Sequence, residues 1–386
     1  MKKSLLAIAA LSAIAGTAQA QSSVTLFGTL DEAGYYANQV NKSTASQAWG
    51  MFGNSVATSN WGLKGSEDMG GGTKANFYLE SGINPSFGTV TNVGAASTTA
   101  ALLFDRGANF GLSGNWGQLD LGNKLTPFIS AVGGILPVSG NSTFVNSAVA
   151  GGYSFFFAHN SLTYTLPTMA GFNAALQYGT GNAANSSSGS QINGAVTYDV
   201  GGLNLRGGYQ YLAKNGNYVS SNNMGTSTTT TTNMSPAIQT YMLGAKYNTG
   251  PFTLGAGWVA NDVNYTGVVN SVKPAGASKY LLNQIQVGVG YQATPAVLLG
   301  LSWVGATSGS SLINAQARYA FSKRTQAYGQ VGYAVNSTTG LNGAGLGNFT
   351  AIYGASGNVA PGTSGAQVAL PQFNQLAIGV GLIHTF

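Results

Sequence analysis

From Gln284 to Ala306 the chain reads QIQVGVGYQATPAVLLGLSWVGA, and its apolar residues recur at every second position. Ile285, Val287, Val289 and Tyr291 share one parity, while Gln284, Gln286, Gly288, Gly290 and Gln292 share the other. After Ala293-Thr294-Pro295 the alternation resumes, with Val297, Leu299, Leu301 and Trp303 set against Leu298, Gly300, Ser302 and Val304. A period of two marks a strand with one apolar face and one polar or small face. Followed along the chain, this pattern predicts sixteen strands. They cover 22–37, 58–66, 72–82, 102–113, 117–124, 154–165, 171–180, 190–199, 201–212, 237–248, 251–262, 280–292, 295–306, 311–322, 324–335 and 372–386. No periodic helical stretch competes with them.

The connections alternate in length. Short ones are SEDMGGG (66–72), Gly114-Asn115-Trp116, the Pro167–Gly171 turn, Val200-Gly201, Thr249-Gly250, Ala293-Thr294 and Ser322-Lys323. Between them lie long stretches rich in Gly, Ser, Thr and Asn, among them NKSTASQAWGMFGNSVATS, Thr228 to Thr232, and Val335 to Pro371. Short turns at one end and long loops at the other describe an all-β, antiparallel up-and-down barrel. An even strand number puts both chain ends on the short-turn side.

The aromatics say which way the apolar parity faces. Tyr198, Tyr247, Tyr291, Tyr319 and Phe386 lie beside short turns or at the C-terminus, whereas Tyr178, Tyr211, Trp258, Trp303 and Tyr333 lie near long loops. Two aromatic bands a strand length apart match the girdles of a transmembrane barrel, so the apolar parity faces lipid. The opposite parity carries Asn173, Gln177, Gln191, Asn193, Asn204, Gln210, Gln284, Gln286, Asn314, Gln316, Gln326 and Gln330. In a dry core each unsatisfied amide costs about 1–3 kcal/mol; a sixteen-stranded barrel leaves them a water-filled lumen instead.

Composition agrees. Charged residues make up 6% of the chain and glycines number 57 of 386, against roughly a quarter charged and about 7% glycine in soluble domains. The opening MKKSLLAIAALSAIAGTAQA reads as a secretory signal peptide over 1–20, with Ala18-Gln19-Ala20 at the cleavage site. Its removal leaves a single domain, 21–386, and lowers the formal charge from +6 to +4 by taking Lys2 and Lys3. Cysteine is absent, so no disulfide stabilises the exported chain.

Five stretches carry a family resemblance: SSVTLFGTLDEAGYY, WGLKGSEDMGGGTKANFYLESGI (61–83), LFDRGANFGLSGNWGQLDLGNKLTPF (103–128), HNSLTYTLPTMAGFNAALQYG (159–179) and the ending VGLIHTF. In these the chain resembles Gram-negative general porins of the beta-proteobacterial type. The resemblance implies a homotrimer in the outer membrane, in contact with its lipid and lipopolysaccharide, and a channel for small hydrophilic solutes. It further implies that the third long loop, here Thr126 to Gly152, folds into the pore. Terminal Phe386 would be the signal read by the barrel-insertion machinery. The chain departs from the family where arginines are common, with Asn60, Asn123, Phe157, Ile383 and Thr385 in their place. Its third loop also lacks the family's acids: Leu125 to Tyr198 contains no Asp, Glu, Lys or Arg.

By parity, the charges left to line the pore are Asp31, Lys64, Lys74, Glu80, Lys124, Arg206, Lys246 and Arg318, with Arg106 as a further candidate. Lys64 and Lys74 flank Glu67-Asp68, so local ion pairing is an alternative for both. For the narrowing itself the loop offers uncharged groups: Phe128, Ile129, Leu136 and Phe144. Two histidines, His159 and His384, with no cysteine, supply neither a metal cluster nor a nucleophile with its base. Gly70-Gly71-Gly72-Thr73-Lys74 lacks the spacing of a phosphate loop, and scattered positive charge argues against nucleic-acid binding. The expectation is a passive channel of mild anion preference with no enzymatic activity, cofactor or metal. A solute-specific channel with a lumen track such as Phe27 and Tyr78 is the alternative, and a barrel serving mainly as adhesin or surface antigen is a third.

Overall fold

The computed structural model describes residues 23–38, 47–91, 103–137, 156–181, 189–213, 237–264, 279–307, 309, 311–335 and 374–386. The expected signal peptide, the second half of the expected third loop and Phe144 lie outside these residues. The first half of the chain forms β1 (Ser23–Asn38), β2 (Gln47–Gly53), β3 (Asn60–Gly70), β4 (Thr73–Asn84), β5 (Thr89–Thr91), β6 (Gly107–Gly114), β7 (Gly117–Leu125), helix α1 (Pro127–Gly133), β8 (Phe157–Thr165) and β9 (Phe172–Gly179). The second half forms β10 (Gln191–Val200), β11 (Leu203–Leu212), β12 (Ala237–Thr249), β13 (Phe252–Asn264), β14 (Lys279–Thr294), β15 (Val297–Ala306), β16 (Ser311–Ala320), β17 (Thr325–Val335) and β18 (Asn374–Thr385). Among the described residues no helix is long and apolar enough to cross a membrane.

All pairings are antiparallel, and β1 closes the sheet on β18, in register from Thr29↔Thr385 to Ala37↔Ala377. Eighteen segments fill sixteen wall positions. Along one edge of β1, β3 pairs with Ser23–Thr29 and β2 with Glu32–Asn38, so the two share a position. Likewise β5 and β6 share the edge of β4. The barrel is therefore closed at the expected number of strands, and none of the described strands is left as a free sheet edge.

Three local expectations are corrected. Gln47–Gly53, placed by composition in a long loop, is strand β2, because Trp49, Met51 and their neighbours complete the ladder of β1. The turn assigned to residues 66–72 contracts to its glycines. Strand pairing persists to Asp68↔Lys74, and Gly70, Gly71 and Gly72 take φ of 81°, 62° and 77°, which side-chain-bearing residues rarely adopt. The third loop, read without helical content, opens with α1. Thr126 is its N-cap, accepting a hydrogen bond from Ile129 N, and Pro127 occupies the first helical position.

The two faces of the wall separate as the alternation requires. Leu176, Leu243 and Val380 are 61%, 62% and 66% exposed, while Gln177, Asn193 and Gln210, on the other parity, are fully buried. Every girdle aromatic except Tyr211 is among the exposed large apolar residues. A continuous apolar exterior of this extent is stable only when lipid solvates it.

Candidate functional site

The inward parity was expected to stand in open water. Instead its amides link along the wall and are largely closed in. Gln177 Nε2 donates to Thr163 Oγ1 at 3.0 Å, Asn193 Nδ2 to Gln177 Oε1 at 3.0 Å, and Gln316 Nε2 to Gln330 Oε1 at 3.2 Å. On β12 and β13, Thr240 Oγ1 donates to Asn261 Oδ1 at 3.0 Å. Two chain segments leave the wall and fold inward over parts of it, one reaching Gln210 through Thr126 and the other Gln330 through Ser55.

The first segment is Thr126–Pro137. Phe128, Ala131, Val132, Ile135 and Leu136 are buried together with Met242, Val259, Val304, Leu312 and Ala334 of the wall. Wall glycines make room for the approach. A Cβ on Gly244 would stand 2.4 Å from Ile135 Cδ1, and one on Gly255 2.2 Å from Ile135 O, so side chains there would push the segment away. Of the expected narrowing residues, Phe128 and Leu136 are anchors, buried against the wall rather than turned to the channel. Ile129 is half-buried and its neighbour Ser130 exposed.

The second segment is Asn54–Ser59, between β2 and β3, and nothing in the sequence pattern marks it. Asn54 opens it with φ of 68°, a conformation asparagine tolerates better than most residues. The segment folds over Asp31. One oxygen of that carboxylate accepts from Val56 N at 2.5 Å and Ala57 N at 2.6 Å, and the other from Tyr328 Oη at 2.5 Å. Ser59 Oγ accepts from Asp31 N at 2.9 Å, and Gln330 Nε2 donates to Ser55 Oγ at 2.6 Å. Asp31, expected to line the pore, is thus fully buried beneath this segment. Arg318, bonded through Nε to Gln316 Oε1 at 2.6 Å, acts on Asp31 electrostatically.

The remaining candidates divide by partner. Arg106 Nε bonds Glu80 Oε1 at 2.7 Å, and Tyr78 Oη donates to Glu80 Oε2 at 2.6 Å. Lys124 pairs with Asp120, four residues earlier on the same strand. Lys64 is exposed and lies 5.3 Å from the Phe27 ring centroid; Phe27 itself stacks on Tyr78, centroids 5.3 Å apart. Lys74 is exposed and stands opposite Asp68 at the hairpin end. Arg206 Nη1 donates to the α1 carbonyls of Ser130 (3.4 Å) and Ala131 (3.3 Å), where a helix end favours positive charge. Lys246 is half-buried beside it. Sequence reasoning missed Asp120, Tyr328 and the Asn54–Ser59 segment. The first had a readable signal, an acid four residues before Lys124; the other two depend on contacts between remote strands.

Phe386 completes the seam. Its N donates to Gly28 O at 3.0 Å and its O accepts from Gly28 N at 3.1 Å, and its ring lies on the outward face.

Comparison with known proteins agrees with this geometry. The chain is 38% identical over 222 residues to outer membrane porin protein 32 of Delftia acidovorans, covering 53% of this chain and 58% of that one. It is 34% identical over 193 residues to an outer membrane porin protein of Bordetella pertussis, covering 46% of this chain and 48% of that one. The chain thus spans about half the length of the curated relatives it matches. Among solved structures, the anion-selective porin from Comamonas acidovorans superposes with a TM-score of 0.68 at 25% identity, covering 95% of this chain and all of that one. A family model described as Gram-negative porin matches residues 7–339. The chain belongs to the Gram-negative porin family.

Proposed function

We propose that the protein is an outer-membrane channel for passive diffusion of small hydrophilic solutes and ions, with a weak preference for anions. The observation that carries this reading is how charge is distributed inside the closed barrel. The inward segment Thr126–Pro137 has no ionised side chain, two inward cations are neutralised by Glu80 and Asp120, and Asp31 is sealed from the lumen. What remains open is a modest surplus of basic groups. Beyond the Debye length of about 8 Å at physiological salt such charges are screened, so they bias traffic rather than gate it. Under a salt gradient across a planar bilayer, reversal potentials should indicate mild anion selectivity that weakens as salt rises. Strong selectivity of either sign persisting at high salt would overturn the reading.

A solute-preferring channel is favoured by the lumen stack of Phe27 on Tyr78 with Lys64 above it, a surface suited to flat or ring-shaped solutes. Saturable block of the current by such a solute would support it.

The same proposal includes export by a cleaved signal peptide and a homotrimer among lipid and lipopolysaccharide. The outward residues beside the seam, Val24, Leu26, Leu30, Ile378 and Val380, are exposed and aliphatic, suited to a flat contact between subunits. Phe386 serves as the insertion signal. Its deletion should lower the amount of folded barrel in the outer membrane far more than a change at Thr385, which meets Thr29 across the seam; equal assembly of both variants would contradict this.

A further inference from the structure

A polar recess of about 340 Å³ opens beneath α1, at the short-turn end of β10, β11 and β12. Cross-strand register sets Asp199, Asn204 and Lys246 side by side on the inward face. Arg206 lies one inward position further along β11, and Asn248 one inward position further along β12. We propose that this recess is a binding site for a small oxyanion, a carboxylate or phosphate, resting on the reading of the chain as a channel.

The argument is one of partners. Elsewhere on the inner wall four cations are engaged, Arg106 by Glu80, Lys124 by Asp120, Arg318 by Gln316 with Asp31 nearby, and Lys64 by the Phe27 ring, while Lys74 stands exposed at a hairpin end. In the recess two cations face one acid, which leaves a surplus positive charge. Asp199 accepts from Asn204 Nδ2, and Asn204 in turn accepts from Arg206 Nε. Arg206 is held in place by the carbonyls of Ser130 and Ala131, so its guanidinium is preorganised and retains donors to spare. Lys246 forms no hydrogen bond or ion pair with any described residue; the charges acting on it are Arg206 and Asp199. At the rim, Asn248 Oδ1 accepts from Thr253 Oγ1 at 2.9 Å, which leaves its amide NH₂ as a further donor. A half-buried ammonium beside a fixed guanidinium, with the Asn248 amide at the rim, has room for a further acceptor. An oxyanion supplies one to each cation and balances the surplus charge.

The site is small and partly open, so it holds its ligand weakly, as a stopping point below the loop rather than a plug. That predicts saturation at high anion concentration instead of tight block.

Two measurements test it. Calorimetry of the detergent-folded protein with inorganic phosphate, and separately with succinate, reads binding without requiring any current. Wild-type protein should bind at least one of the two. Lys246→Gln should weaken that binding about fivefold, the size of one partly screened ion pair, and Lys246→Arg should retain it. Asn248→Asp, which keeps Lys246 but adds a competing carboxylate, should weaken it as well. In planar bilayers the same anion should reduce chloride current saturably, and Lys246→Gln should remove the saturation. Absence of binding in calorimetry, or equal binding by wild type and Lys246→Gln, overturns the site. A protein that binds the anion but carries no ion current would leave the site standing and overturn the channel reading.

Discussion

The two segments that fold into this barrel do similar work by different physics. Thr126–Pro137 lies on the β9–β14 side and is held by apolar burial: Phe128, Ile135 and Leu136 fit against a wall thinned by glycines. Asn54–Ser59 lies beside the β1–β18 seam and is held mainly by polar bonds centred on Asp31, whose buried carboxylate takes three donors, with Gln330 on Ser55 and Val56 packed against Ala33, Tyr328 and Ile383. The first attachment is spread over many contacts, so no single side chain carries all of it. The second is concentrated in Asp31, and removing one side chain strands several buried donors at once. The difference shows that a segment can be fixed inside the barrel either by apolar burial without any charge or by a charge kept out of the water.

The largest expected effect is at the concentrated attachment. Asp31→Ala leaves Val56 N, Ala57 N and Tyr328 Oη without their acceptor and should cost about 3–5 kcal/mol, read as a lower denaturant midpoint of the detergent-folded barrel. A loss under about 1 kcal/mol would mean that the carboxylate is not the anchor. Phe128→Ala should cost about 3 kcal/mol, but as loosening of the loop: faster proteolysis within 126–137 and higher conductance, with barrel melting little changed. If melting falls as far as for Asp31→Ala, the two segments are not distinct in kind. Gly255→Ala brings a Cβ against Ile135 O and should cost about 1–3 kcal/mol, again raising conductance through displacement of the loop. Smallest is Thr126→Ala, which removes the cap of α1 and should cost about 1 kcal/mol. Its effect should be confined to loop protection in hydrogen exchange, and unchanged protection would show that the cap is not needed.

What could be read directly from the chain was what depends on neighbours in sequence. Alternation from Ile285 to Tyr291 and from Val297 to Trp303 reports burial face by face, because strand geometry turns successive residues to opposite sides. Thus strand number, lipid-facing parity, the aromatic bands and the inward fold of the third loop's first part, Thr126–Pro137, were legible, the last through resemblance. Thr126-Pro127 was a legible helix start that went unread. The roles of the inward charges were not legible, because parity says which side a residue faces and not what covers it. Tyr328 reaches Asp31 across 297 residues of sequence, and Arg206 meets the carbonyls of α1 across about 75. Those contacts exist because barrel closure sets the first strand beside the last and bends a loop onto a distant wall. Such distances carry no periodic trace in the residues themselves, so the burial of Asp31 follows from the inward fold of Asn54–Ser59 and the closure beside β17, and the setting of Lys246 beside Arg206 from the pairing of β11 with β12.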